Sequence, residues 1–369
     1  MDVHPLLFEP IFKPKIWGGR RLATLVDKSL PGNQPIGESW ELVDLEDEWS
    51  VVRSGSAAGR SIAQLVTEWG ADLLGRVELC DGRFPLLIKF LDATQTLSVQ
   101  VHPDEAMAAK LGANVRLKHE AWYIVDAEPG GFIYRGLNPG VDRAAFESAV
   151  AQGRVEECLH RIEVRKGQCY YLPSGTVHAL GAGVVVAEIQ TPSDITYRVY
   201  DFGRIDPSTG RERELHLDQA LECIDFSGAP IPGEERSHVA SVWTAVTRLV
   251  TCDSFHIERV RMVEELDMPI PYGGMVVWVV LEGDGQIEMP KSASDGVTRF
   301  SRGDVVLLPA GLHDASLHTD TQCLWLEVTV PETSDLADFA RVDPAEMKAP
   351  ATPLVQLRQP ASDGPTPAP

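Results

Sequence analysis

The chain has 369 residues and a formal charge of −21, from 54 acidic against 33 basic side chains. That length supplies two domains and a sizeable core, and that charge argues against nucleic acid and anionic membranes as partners. An anionic ligand would need a local basic pocket working against the overall field. The six cysteines form no CxxC pair, and Met1-Asp2-Val3-His4 opens no secretory signal. Without any long apolar span, the expectation is a cytoplasmic protein with reduced thiols.

In chain order, Phe12-Lys13-Pro14-Lys15-Ile16-Trp17-Gly18-Gly19 reads as a strand and tight turn, and Ile36–Leu42 as a half-buried strand. Ser61 caps a helix to Leu74, on whose apolar face stand Ile62, Leu65, Val66, Trp69 and Leu73. Leu86–Phe90 and Leu97–His102 follow as strands and Asp104–Leu111 as a short helix. Strands at 121–125, 131–134, 168–172 and 184–189 are interrupted by helices at 142–151 and 155–159. A helix at 215–223 precedes the linker-like Ser227-Gly228-Ala229-Pro230-Ile231-Pro232-Gly233. Strands resume at 241–250, 255–261, 276–281, 285–289, 304–308 and 324–329. Many short strands with Gly and Pro turns predict a mainly β fold, sandwich or small barrel. From about Ala349 the Pro/Ala-rich tail is expected to be disordered.

A repeat divides the β-rich region. Gly167, five residues, Pro173-Ser174-Gly175 and His178 recur as Gly303, five residues, Pro309-Ala310-Gly311 and His313, one residue short. The first copy matches a motif of the cupin superfamily, a double-stranded β-barrel. The second has no Gln-x-His or His-x-His upstream and is read as a cupin-like unit without metal. The expected organisation is two cupin-like jelly-roll units with short interposed helices: 1–226 with the metal site, a linker at 227–239, 240–332 without metal, and a tail at 333–369.

The chemistry gathers in the first unit. Gln100 and His102 are two apart on a strand and share a face. Glu120 opens the next strand, and His178 follows the Pro-x-Gly turn. Antiparallel pairing can bring all four to one interior point, where two imidazoles, a carboxylate and an amide leave a divalent cation open to substrate. A lone strand histidine is more often a hydrogen-bonded core residue; the four together favour metal. Zinc is the default, with manganese, cobalt and iron also compatible. Lys118 shares the face of Glu120, to transfer protons or bind an anion, or is an exposed turn lysine. Ser98 shares the face of Gln100 and can donate to a sugar or phosphate oxygen, or is an ordinary strand serine. Glu188 ends an apolar strand, where a carboxylate is awkward to bury. Arg198 can clamp an oxyanion, or is a surface arginine.

These residues resemble type I mannose-6-phosphate isomerase, the zinc-dependent cupin enzymes, in their shorter bacterial branch. The resemblance spans roughly residues 5 to 330. It rests on Lys15-Ile16-Trp17-Gly18-Gly19, Ile36-Gly37-Glu38-Ser39-Trp40-Glu41, Leu97-Ser98-Val99-Gln100-Val101-His102-Pro103, Lys118-His119-Glu120-Ala121-Trp122-Tyr123, Gly175-Thr176-Val177-His178-Ala179, and Gln190 to Asp201. It implies one Zn2+ per chain on Gln100, His102, Glu120 and His178, with Ser98, Lys118, Glu188 and Arg198 in the pocket. One departure is Leu117-Lys118-His119-Glu120, where the longer branch often reads His-Lys-Pro-Glu. The histidine three before the glutamate is absent, and His119 faces away if the strand is regular. The implied reaction interconverts mannose 6-phosphate and fructose 6-phosphate through an enediolate, with Arg198, Glu188 and Lys118 catalytic and Ser98, Lys118 and Arg198 binding substrate. The alternatives are a non-catalytic metal-dependent sugar-phosphate-binding cupin and a cupin dioxygenase. A monomer or weak homodimer is expected. Ser98, Lys118, Arg198 and Arg204 all remain candidates for the phosphate.

Overall fold

A computed structural model of the chain describes residues 3–111, 117–206, 209–231, 236–290 and 296–332. The expected tail and residues 232–235 of the expected linker lie outside them. Four antiparallel sheets carry the fold. In spatial order, the six-stranded sheet runs Ile11–Gly19, Ile36–Leu42, Leu87–Ala93, Val184–Gln190, Glu120–Ala127 and Cys169–Leu172. A five-stranded sheet runs Tyr197–Tyr200, Val99–Val101, His178–Leu180, Phe132–Leu137 and Leu159–Glu163. In the C-terminal half, a seven-stranded sheet runs His238–Ala240, Thr244–Thr251, His256–Met262, Cys323–Thr329, Val276–Glu282, Val305–Leu308 and Leu6–Leu7. A four-stranded sheet runs Asp267–Pro269, Ser316–Thr319, Gly285–Glu288 and Val297–Phe300.

Side-chain alternation shows how these sheets stack. Trp122, Ile124, Val184 and Val186 of the six-stranded sheet pack with Ile133 and Leu180 of the five-stranded sheet. Their strand neighbours Ala121, Tyr123, Val185 and Ala187 pack the other way, with Val277, Val279 and Leu326 of the seven-stranded sheet. Trp278, Val280 and Trp325 on that sheet's far face pack with Ile287, Phe300 and Leu317 of the four-stranded sheet. Helix residues Phe146, Ala149 and Leu221 cover Val99, Val101 and Tyr134 on the outer face of the five-stranded sheet. The two central sheets are thus buried on both faces, so their strands read as apolar runs rather than alternation. For this reason Ile36–Leu42, expected half-buried, is buried throughout.

The sequence repeat is a repeat of topology. From Ile36–Leu42 to Cys169–Leu172 the strand order of the N-terminal sheet recurs from Thr244–Thr251 to Val305–Leu308. Gly167 donates its N–H to Ile124 O, as Gly303 does to Val280 O, with φ of 88° and 89°. These glycines therefore fix Trp122 and Trp278 at equivalent positions. Glu188 stands opposite Trp122, and Glu327 opposite Trp278. Glu120 corresponds to Val276, paired with Thr329 as Glu120 is with Gln190. His178, paired with Gln100, corresponds to Ser316, paired with Pro269. His313 is exposed and precedes that strand.

Three local expectations need correction. The helix from Ser61 is two helices, Ile62–Trp69 and Ala71–Leu74, because Gly70 between them has φ 50° and ψ −117°. Its start holds: Ser61 accepts from Gln64 N–H, and the Gln64 side chain returns to the Ser61 N–H. Val155–Cys158 is a 3-10 turn, and Leu159, expected as its last residue, opens a strand. The Leu97 strand begins only at Val99.

Gly303 joins the two halves closely, since a Cβ there would meet Val26 O at 1.9 Å. With its left-handed φ, Gly303→Ala is expected to cost about 2–3 kcal/mol of stability, read from urea denaturation midpoints.

Candidate metal centre and its pocket

Along Val184–Gln190 the inward face changes from apolar to charged. Val184 and Val186 belong to the inter-sheet core, and Glu188 and Gln190 continue the same face. Glu188 stands between Lys89 and Trp122, and Gln190 is opposite Glu120. On the five-stranded sheet, Gln100 stands between His178 and Arg198. Pairing across two sheets therefore gathers at one end of the unit what the sequence scatters over about a hundred residues.

His102, Glu120 and His178 bring ligand atoms within 4.8 Å of one another. His102 Nε2 lies 3.2 Å from Glu120 Oε1, and His178 Nε2 lies 3.3 Å from Glu120 Oε2. Donors about 2.0 Å from one ion at tetrahedral angles sit about 3.3 Å apart. The Gln100 amide lies 3.2 Å from His178 Nε2. His102 Nδ1 donates to Ile195 O at 2.8 Å, and His178 Nδ1 to Thr176 O at 2.7 Å. Those bonds fix the tautomer that turns each Nε2 lone pair inward. His102 Nε2 is buried with no hydrogen-bond partner among the described residues. The donor set fits a divalent cation.

The turn at Pro173–Thr176 ties the ligand segments together. Gly175, at φ 87°, donates its N–H to His102 O at 2.9 Å. Ser174 Oγ accepts from Lys118 N–H and donates to Lys118 O. Gln190 Nε2 donates to Thr191 O and Ser193 O, bracing the loop whose Ile195 carbonyl holds His102.

Burial makes the charges compensate one another. Lys118 Nζ lies 2.7 Å from Glu120 Oε1, and Lys89 Nζ 2.9 Å from Glu188 Oε1. Trp122 Nε1 donates to Glu188 Oε2 at 2.9 Å, and the indole meets His178 edge-on. Burial would raise the Glu120 carboxyl, but the Lys118 ammonium outweighs it and holds it well below the usual range. Burial, then Lys118, pushes His102 down to about 3, so its imidazole is neutral. Burial and the neighbouring Glu120 push the Glu188 carboxyl up, although Lys89 and Lys118 oppose them. Burial would lower Lys89, but Glu188, Glu38 and Glu120 raise it.

A cavity of about 240 Å³ opens over these groups. Ser98, Gln100, Lys118, Glu120, Glu188 and Arg198 line it, while His102 and His178 are buried beside Glu120 and do not themselves line it. Lys89, Glu38, Lys15, Asp194 and Arg213 line it too; Lys15, Glu38 and Asp194 stand in the segments that carry the family resemblance without having been assigned a role, and Lys89 and Arg213 were not singled out. A lysine inside the apolar run Leu86–Phe90 was the available signal for Lys89. Two candidates point elsewhere. His119 accepts from Ser174 N–H and stacks on Tyr171, away from the cavity. Arg204 is held by Thr96 O and Asp201. A larger cavity, about 430 Å³, holds none of the residues selected from sequence.

Comparison with known proteins fits this geometry. The family described as "Phosphomannose isomerase type I, catalytic domain" matches residues 6–128. Mannose-6-phosphate isomerase ManA of Bacillus subtilis is 35% identical over 326 residues, 88% of this chain and 99% of its own length. The mannose-6-phosphate isomerase of Streptococcus mutans is 32% identical over 315 residues, 83% of this chain and 92% of its own. The crystal structure of mannose 6-phosphate isomerase from Bacillus subtilis superposes with a TM-score of 0.80 at 30% identity, covering 88% of this chain and 99% of that one.

Removing one imidazole is expected to remove the ion. His178→Ala, dialysed against metal-free buffer, should bind added Zn2+ at least about 100-fold more weakly than wild type, measured by calorimetry.

Proposed function

The chain belongs to the type I phosphomannose isomerase family, and we propose that it interconverts mannose 6-phosphate and fructose 6-phosphate with one zinc ion. The observation that carries this reading is the buried His102/Glu120/His178 cluster beside Glu188 and Arg198 in one cavity. Gln100, His102, Glu120 and His178 would hold the ion. When bound, it supplies positive charge that polarises a carbonyl and lowers the energy of a developing enediolate.

The chain's own residues do the rest. Isomerisation removes a proton from C2 and returns one to C1. Glu188 would carry that proton. Its carboxyl is raised by burial and Glu120, towards the range where a base both accepts and releases a proton. Each of its oxygens has one partner, Lys89 or Trp122, and a lone pair left for substrate. Lys118, paired to Glu120, keeps that carboxylate ionised and presents a cation to the cavity. Arg198 adds fixed positive charge where the enediolate forms, and Ser98, buried at the wall, would donate to a sugar oxygen.

A coupled assay for fructose 6-phosphate should show turnover that a chelator abolishes and Zn2+ restores. Arg198→Ala should be inactive with normal metal content; full activity there would sink the scheme. No turnover on any hexose phosphate would favour a binding protein instead. Glu188→Gln should lose at least about 100-fold in kcat. Because Glu188 must be ionised to accept the proton, wild-type kcat/KM should fall as pH drops through its carboxyl. That limb should lie above the ordinary carboxylate value of 4.5.

A further inference from the structure

Resting on that isomerase reading, we infer that Arg213 is the specificity residue for the phosphate of the substrate, held in place by Asp201. The chain reaches this point through the segment following the Arg198 strand. Arg198 and His216 are joined twice, Arg198 O accepting from His216 N–H at 2.8 Å and Arg198 N–H donating to the His216 imidazole Nδ1 at 3.3 Å. Arg198 Nη1 donates to Glu214 O at 2.8 Å. Arg213 is thereby delivered beside Arg198, and both line the cavity above the candidate metal centre.

The charge count there is unusual for so acidic a chain. Three guanidinium groups, Arg198, Arg204 and Arg213, gather around one buried carboxylate, Asp201. Arg213 grips Asp201 through Nε at 2.7 Å and Nη2 at 2.5 Å, a two-point contact that fixes its plane. Arg204 takes Asp201 from the other side and is anchored to Thr96 O. Arg198 Nε is buried without a hydrogen-bond partner among the described residues. Glu214 turns its carboxylate out, 85% exposed, and Asp194 is exposed at the rim. Two guanidinium groups therefore face the cavity with their charge only partly answered. A phosphate dianion is the ligand that answers it, since planar N–H forks match phosphate oxygens. The other cations lining the cavity each have a carboxylate beside them, Lys15 with Glu38, Lys89 with Glu188 and Lys118 with Glu120.

Asp201 acts as a positioning residue. Without it, Arg213 would keep its charge and lose its direction. Arg204 has no such access, so of the arginines in this cluster only Arg198 and Arg213 reach the ligand. Arg198 lies in register with the ligand residue Gln100 and serves the reacting end. That leaves Arg213 for the distal anion.

The test compares wild type with Arg213→Gln and Arg213→Lys, all as metal-loaded full chains. Arg213→Gln is expected to raise KM for mannose 6-phosphate at least about tenfold, the scale of a lost charged contact, while kcat changes less than about threefold. Inorganic phosphate, measured by calorimetry independently of turnover, should bind Arg213→Gln more weakly by a similar factor. Arg213→Lys, which keeps charge but not the fork, should fall between the two, and it carries the test if Arg213→Gln does not fold. Asp201→Asn should reproduce the KM effect in weaker form. Unchanged KM and unchanged phosphate binding in Arg213→Gln would overturn the assignment, leaving Arg213 a structural partner of Asp201. If wild type shows no isomerase turnover but its phosphate binding depends on Arg213, the isomerase reading fails and this site stands.

Discussion

One turn, Pro173–Thr176, holds the whole site in register. Gly175 donates its N–H to the His102 carbonyl, Ser174 clasps the backbone at Lys118, and Thr176 accepts from the His178 imidazole. Three chain segments that share no local sequence are thus joined by one main-chain bond and by side-chain bonds to main-chain groups. Only glycine adopts φ 87° there at no steric cost. The ligand atoms inherit their 3.2–3.3 Å spacings from this turn and from strand pairing. Ordering that comes from the backbone in this way is ordering that a bound ion would not have to supply.

The duplicated topology shows which parts of that arrangement belong to the scaffold. The C-terminal unit keeps the turn glycine, the tryptophan and the facing carboxylate, as Gly303, Trp278 and Glu327. It replaces the ligand positions with Val276, Ser316 and Pro269. Lys89 becomes Glu258, which pairs instead with Arg248. Glu327, deprived of a lysine partner, accepts from Tyr272, and burial pushes its carboxyl up. The tryptophan–carboxylate pair therefore serves the fold in both units. In the N-terminal unit the same pair is charged by Lys89 and set beside the imidazoles. The two units share the structural device, and the difference lies in a handful of inward-facing positions.

That difference explains what the sequence could reveal. The convergence of Gln100, His102, Glu120 and His178 was legible because a strand's two-residue period and the Pro-x-Gly turn are local signals; the same period singled out Lys118 and Ser98, a carboxylate ending an apolar strand singled out Glu188, and the family resemblance put these and Arg198 in one pocket. Lys89 and Arg213 were not legible, and Glu38 was quoted in a motif without a role, because each becomes meaningful only through a partner elsewhere in the chain. Arg213 lies in Arg211-Glu212-Arg213-Glu214, which reads as a solvated charge run. Leu6–Leu7 is similar: two residues of the N-terminal segment complete the C-terminal sheet by pairing with Val306 and Leu307. No periodicity over two residues can announce that. The break at Gly70 escaped for the opposite reason, since the apolar spacing continues unchanged through a residue whose backbone has left the helix.

The acidity of the chain and the anionic charge of a sugar phosphate are compatible once distance is considered. A net charge of −21 is spread over the whole molecule, and salt screens it beyond about 8 Å at physiological ionic strength. The guanidinium groups at the cavity act at contact distance and partly out of water, where a unit charge counts for several times more. A bound phosphate therefore feels Arg198 and Arg213 far more than the surface carboxylates. The same contrast imposes a sequence on binding: the approaching anion gains little at long range, and most of its attraction arises only after it has entered the cavity. On the proposed reading, selection among sugars would be made inside the cavity, where Ser98 and Glu188 stand at one end and Arg198 and Arg213 present charge to an anion.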